Sequence, residues 1–221
     1  RLRPSGGQGP VATRFTSFID YQQNEAETWE HMALVRARVI AGDATLAEAI
    51  TAAQTAIIRQ PTAEKTLRTD IAAMRGLIAR EKGESDPWDL KLAAGGIIDV
   101  EFIAQYLVLA HAPKHPEIID TSTIGVLRKA TAAGLLPSGD GEQLTTACAF
   151  YQAVTQMMRL AIEGPFDPTK VASSVLRRIA SSVNLPDFGR VELMLTETRT
   201  EVRKIFTRLI GAPGKAASTK K

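Results

Sequence analysis

Cysteine is nearly absent from this 221-residue chain: Cys148 stands alone. A single thiol excludes an intramolecular disulfide and leads to an expected reducing compartment, the cytoplasm. No Cys/His cluster has the spacing of a zinc site. No phosphate-binding P-loop and no nucleophile elbow occurs. No apolar run approaches the roughly 20 residues of a membrane span, and no signal peptide is visible. A strong excess of charge is also missing. Lys and Arg number 27 against 24 Asp and Glu, a formal net charge of +3. Lys215, Lys220 and Lys221 lie in an acid-free tail after Gly211, and without that tail bases and acids balance. The sequence pI of about 9.1 therefore comes largely from the tail, and no nucleic-acid partner is read from it. After residue 13 no alternating strand pattern appears, and no fixed-period repeat is found.

What the chain does have is 44% hydrophobic residues, enough for one large domain or two small ones. They recur at helical spacing. Helices are expected at about 15–22, at 25–41 with Trp29, Met32, Val35 and Val39 inward, and from Asp43 to Pro61 with Leu46, Ile50, Ala53 and Ile57 inward. The next runs over about 62–80, with Leu67, Ile71, Met74 and Ile78. Others follow at 97–112 and from Asp120 or Thr121 to 133. A long stripe joins Leu144, Cys148, Tyr151, Thr155, Met158 and Ile162. The last two span about 168–183 and 187–210. The reading is an all-α bundle of seven to nine helices over 14–211. An extended strand and loop, 1–13, precede it as the stub of another domain, and a disordered basic tail, 212–221, follows. A chain that opens inside a strand, without Met, is expected to be a piece of something longer.

The stretch 88–106 organises the rest. Asp89 to Leu92 read as extended, Gly95-Gly96 as a sharp bend, and a helix starts near Ile97. That helix is apolar nearly all round, which marks a buried, central one. Its polar exceptions are Asp99, Glu101 and Gln105. Glu101 and Gln105 share a face, and polar groups there must be paired or line a cavity. Glu101 reads either as a partner for Arg or Lys of another helix or as a cleft wall. Asp99 reads as a first-turn dipole partner or as a catalytic or metal-linked carboxylate. The glycines either make the turn alone or cradle an anion, with Lys91 adding charge. Arg1 and Arg3 point the same way from an extended segment. Such a pair suits a polyanion such as a triphosphate, or carboxylates across a domain junction. Arg36 and Arg38 fall on different faces of one helix. His31 reads as an ordinary polar contact, Cys148 as a small core residue, and His111 and His115 receive no role.

Several of these runs resemble a known family. Arg-Leu-Arg-Pro-Ser-Gly at 1–6, Phe-Ile-Asp-Tyr-Gln-Gln-Asn-Glu at 18–25, Thr-Trp-Glu-His-Met-Ala-Leu-Val-Arg-Ala-Arg at 28–38 and the Asp-Leu-Lys…Gly-Gly-Ile-Ile-Asp-Val-Glu-Phe-Ile-Ala-Gln-Tyr-Leu-Val-Leu run at 89–109 are similar to glutamine synthetase adenylyltransferase. The match is close in the first half and one of helical style in the second. It implies a tandem of nucleotidyltransferase units, and the wording at 29–38 resembles the C-terminal, adenylylating one. The implied reaction moves AMP from ATP to a tyrosine of glutamine synthetase, with Mg2+ held by carboxylates. The resemblance places those carboxylates before Arg1. Residues 1–13 then end the catalytic sheet, and the fragment alone is expected to be inactive and to bind neither Mg2+ nor ATP. Arg1, Arg3 and Ser5 would adjoin the nucleotide. Lys91 and Gln105 would face it from the helical side, with Asp99 and Glu101 in support. The implied partners are glutamine synthetase and a PII-type signal protein, with glutamine as a candidate effector. Two alternatives stay open: a non-catalytic helical module binding the PII-type protein or glutamine synthetase, and the helical part of a deadenylylating or uridylyl-transferring unit.

Overall fold

The computed structural model describes Gly9 and residues 12–214. Arg1, Arg3 and Ser5, the expected strand, and residues 215–221 lie outside the described residues. Among the described residues the structure is all helical, with no strand. The α-helices are α1 (Phe15–Asn24), α2 (Thr28–Val35), α3 (Ala44–Ile58), α4 (Glu64–Lys82), α5 (Ile97–His111), α6 (Thr123–Ala132), α7 (Ser138–Ala161), α8 (Ser173–Ser182) and α9 (Phe188–Leu209). No helix there is long and apolar enough to cross a membrane.

Side-chain caps set the starts of four α-helices among the described residues. Glu27 and Glu30 form a reciprocal capping box on α2, the Glu30 side chain accepting the Glu27 N–H at 3.1 Å. Asp43, Ser122 and Asp187 each accept a backbone N–H from the first turn of α3, α6 and α9. Ser122 thus holds the cap expected at Asp120 or Thr121, and Asp120 instead accepts the Ser122 N–H at 2.8 Å.

The central helix is as expected. Ten of the 15 residues of α5 are buried, and α2, α4, α6, α7 and α9 pack around it. One continuous core results, with Leu144, Tyr151 and Val154 of α7 and Leu195, Val202 and Phe206 of α9 among its members. Three expectations need correction. First, α2 stops at Val35, short of residue 41. Gln54 of α3 donates to the carbonyls of Leu34 and Ala37 at 2.8 and 2.9 Å, so a side chain from the next helix satisfies the end of this one. Second, α8 starts at Ser173, because Asp167 folds the preceding segment into a turn by accepting from Thr169 N and Oγ1. Third, Leu46 and Trp29 are exposed. Leu46 lies at the start of α3, which packs mainly on α1 and α2. The Trp29 indole N–H turns to Glu27 at 3.1 Å.

Candidate functional site

The bend before α5 is not extended at Asp89–Leu92. Asp89 accepts the N–H groups of Lys91 and Leu92 at 3.1 and 2.9 Å, making a turn. Gly95 has φ +75 and lies against α9: a Cβ there would sit 1.9 Å from the Arg199 carbonyl oxygen. At Gly96 a Cβ would sit 2.5 Å from the Leu90 oxygen. The anion cradle read from this glycine pair is filled by the chain itself. Gly96 N–H donates to Ala93, Ile97 N–H to Leu90 and Ile98 N–H to Lys91, while Gly95 N–H donates to Asp99 Oδ2 at 2.8 Å.

Asp99 is fully buried and its oxygens are fully engaged. Arg75 Nε donates to Oδ1; Arg203 Nη1 donates to Oδ2 at 2.8 Å. Arg75, also fully buried, donates through Nη2 to the Leu92 carbonyl at 3.0 Å and pairs with Glu84 at 3.1 Å. Arg203 Nη2 reaches the same Glu84 at 3.4 Å. Tyr151 donates its hydroxyl to the Gly95 carbonyl at 2.7 Å, and burial pushes its pKa up. These bonds tie α4, α5, α7 and α9 to one bend. Neither Arg75 nor Arg203 was singled out in the sequence. Arg75 was legible in principle, since it lies four residues after Ile71 on the buried side of α4. The buried side carries Leu67, Ile71, Ala72, Arg75 and Gly76, one position away from the Met74 and Ile78 expected there.

Glu101 sits on α5, one turn from Gln105, and pairs with Arg36 at the end of α2. The two side chains are 21% and 45% exposed, so this pair stands at the surface. Gln105 is buried and Lys91 is exposed. Cys148 lies near the same pair: burial first, then the Glu101 charge, raises its thiol to about 11. None of five surface hollows formed by the described residues is lined by Lys91, Asp99, Glu101 or Gln105. Nor do the described residues contain a group of three or more His, Cys, Asp or Glu able to hold a metal ion.

A second polar cluster escaped the sequence reading. Arg68 Nε donates to the Tyr106 hydroxyl oxygen at 3.0 Å, and that hydroxyl donates to Glu64 at 2.8 Å. The Tyr106 hydrogen bond holds the Glu64 carboxyl below its ordinary range, and burial raises Tyr106. His31 and His115 make plain contacts: His31 Nε2 meets the Gln22 carbonyl at 2.9 Å, and His115 meets Glu117 at 3.0 Å.

Residues 1–53 match the family profile described as glutamate-ammonia ligase adenylyltransferase, and residues 71–210 match that described as GlnD PII-uridylyltransferase. Three similar proteins are each called bifunctional glutamine synthetase adenylyltransferase/adenylyl-removing enzyme. That of Xanthobacter autotrophicus is 49% identical over 95% of this chain and 21% of its own length. Those of Bradyrhizobium diazoefficiens and Rhodopseudomonas palustris are 45% and 46% identical over 99% and 96% of this chain, or 22% and 21% of their own lengths. The chain thus spans about a fifth of the length of these relatives. Matches of this closeness along nearly the whole chain, with both profiles in order, mean that the chain belongs to the glutamine synthetase adenylyltransferase family.

Proposed function

We propose that the chain is the C-terminal helical part of a nucleotidyltransferase that moves AMP from ATP to a tyrosine of glutamine synthetase in the cytoplasm, and so controls nitrogen assimilation. The supporting observation is identity of 45–49% over 95–99% of the chain to adenylyltransferases. In the reaction the tyrosine oxygen bonds the α-phosphorus, the bond to the β-phosphate bridge breaks, and pyrophosphate leaves with that electron pair. The phenolic proton goes to base or solvent.

ATP and Mg2+ enter this reading through the family. The described residues offer no donor set for a metal, so the transfer step is not routed through them. On this reading the metal-holding carboxylates precede Arg1 in the longer protein, and Arg1, Arg3 and Ser5 adjoin the nucleotide. The helical side contributes Lys91, Glu101 and Gln105. Glu101 is aimed by Arg36, and Asp99 acts only through the bend, as a positioning group. The test is transfer of labelled AMP from ATP to glutamine synthetase. The 221-residue chain is expected to show none, and a longer protein that continues upstream of Arg1 to show it. Transfer by the 221 residues alone would refute this assignment.

The profile match over 71–210 favours a second reading: these helices form a regulatory module that binds a PII-type signal protein. Calorimetric titration of the chain with such a protein separates the two. Binding without upstream residues supports the module, and absence of heat removes it.

A further inference from the structure

A groove of about 760 Å³ runs along α9 beside the bend that starts α5. Arg199, Arg203, Lys204 and Arg208 line it, Ala94 forms part of its wall, and no acidic side chain lines it. Three of the bases already have carboxylates: Arg203 has Asp99 and Glu84, Lys204 has Glu201, and Arg208 has Asp140. Arg199 differs. Its Nε donates to the Ala94 carbonyl at 3.2 Å and its Nη1 to the Pro87 carbonyl at 3.4 Å. Among the described residues no carboxylate forms an ion pair with it. A guanidinium held only by neutral carbonyls keeps its full charge and can still take a carboxylate. Arg203 Nη2 is also weakly used, since its Glu84 contact is 3.4 Å long.

The shape argues for a chain segment over a single small ion. From Thr196 to Arg208 the helix rises about 18 Å, the length of roughly five or six extended residues. A lone anion would occupy one end of it.

We propose that this groove docks an acidic, extended segment of a protein partner. Its carboxylates meet Arg199 and Nη2 of Arg203, while its apolar side chains lie along the arginine stems and the threonines between them. The assignment stands apart from the transfer reading, and either can fail without the other. Occupancy would be felt at α5. Arg199 holds the Ala94 carbonyl and Arg203 holds Asp99, so a partner carboxylate that draws Arg203 from Glu84 acts on the bend directly.

The test is fluorescence anisotropy of the 221-residue chain with a labelled peptide of about six alternating Glu and Leu residues. The probes for comparison are its Gln-for-Glu counterpart and a labelled oligothymidylate. Binding of the acidic peptide should be about tenfold tighter than that of the Gln peptide and should weaken with salt. Arg199→Glu should lower it about tenfold, a loss of one charge-assisted pair. Because Arg199 also supports the bend, Lys204→Glu is the second variant: its side chain is exposed, and about a threefold loss is expected with an unchanged melting temperature. Arg38→Glu, exposed outside the groove, is expected to change nothing. No binding of the acidic peptide, equal binding of the Gln peptide, or equal losses in Arg38→Glu and Lys204→Glu would overturn the docking site. Binding of oligothymidylate as tight as that of the acidic peptide would overturn the protein segment as its occupant.

Discussion

Arg75 and Asp99 are charged side chains fully buried from solvent, and so costly to leave unpaired. An isolated buried ion carries a desolvation penalty of several kcal/mol, which mutual attraction repays only when the remaining donors and acceptors are met. Asp99 meets that condition with three donors: Arg75, Gly95 N–H and Arg203. Arg75 nearly does, with only Nη1 left without a partner. Asp99→Ala removes the counter-charge and leaves Arg75 with Glu84, which is 35% exposed and so a weaker partner. The expected cost is about 3 kcal/mol, the lower end for a broken buried pair, read from urea unfolding of the two proteins. A loss under about 1 kcal/mol would mean that Asp99 does not hold the bend. Arg75→Met combined with Asp99→Leu should recover much of the loss, since an apolar pair of similar bulk removes both charges together.

At the scale of elements, the approach of α9 to the start of α5 depends on the absence of a side chain at Gly95. Gly134 supplies the comparison. Both have φ near +70, but a Cβ on Gly134 would meet nothing within 4 Å, whereas one on Gly95 would lie 1.9 Å from the Arg199 oxygen. Gly134→Ala should therefore cost only the left-handed backbone, about 1–2 kcal/mol. Gly95→Ala should cost at least about 2 kcal/mol more, because α9 must move away and take Arg199 and Arg203 with it. Equal midpoints in denaturant for the two variants would show that the packing is loose enough to yield.

The same contrast separates what was legible in the sequence from what was not. Periodicity located the α-helices among the described residues, though not the short 3-10 turn at Pro116–Ile118, and picked α5 as the buried one, because burial all round a helix requires apolar residues all round it. It could not place the end of α2, which depends on an amide from Gln54, nor the outward turn of Leu46, which depends on how little packs on α3. The candidate site was legible as single residues and not as pairs. Arg36 and Glu101 each stood out, but their contact spans 65 positions. The spacing of Arg75 from Ile71 pointed to its burial, but nothing in the sequence pointed to Asp99 and the Leu92 carbonyl as its partners.

For the whole molecule, the question is whether the α2–α5 surface serves the fold or the reaction. The Arg36–Glu101 pair is partly solvated, and such pairs contribute about 0–1 kcal/mol to stability. A partly exposed pair that contributes so little to the fold leaves Glu101 free for the role proposed for it beside the nucleotide. On the proposed reading, Glu101→Ala in a protein extended upstream of Arg1 is expected to lower the rate of AMP transfer about tenfold, some 1.4 kcal/mol in the barrier, while moving stability by less than about 1 kcal/mol. Arg36→Ala divides the cause. If Arg36 only aims Glu101, its loss should lower the rate by less than the loss of Glu101 does, because the carboxylate is still present. Equal losses in both variants would show that the pair acts as one unit in the proposed transfer. An unchanged rate in Glu101→Ala, with the melting transition lowered instead, would assign the pair to the fold and remove Glu101 from the proposed site.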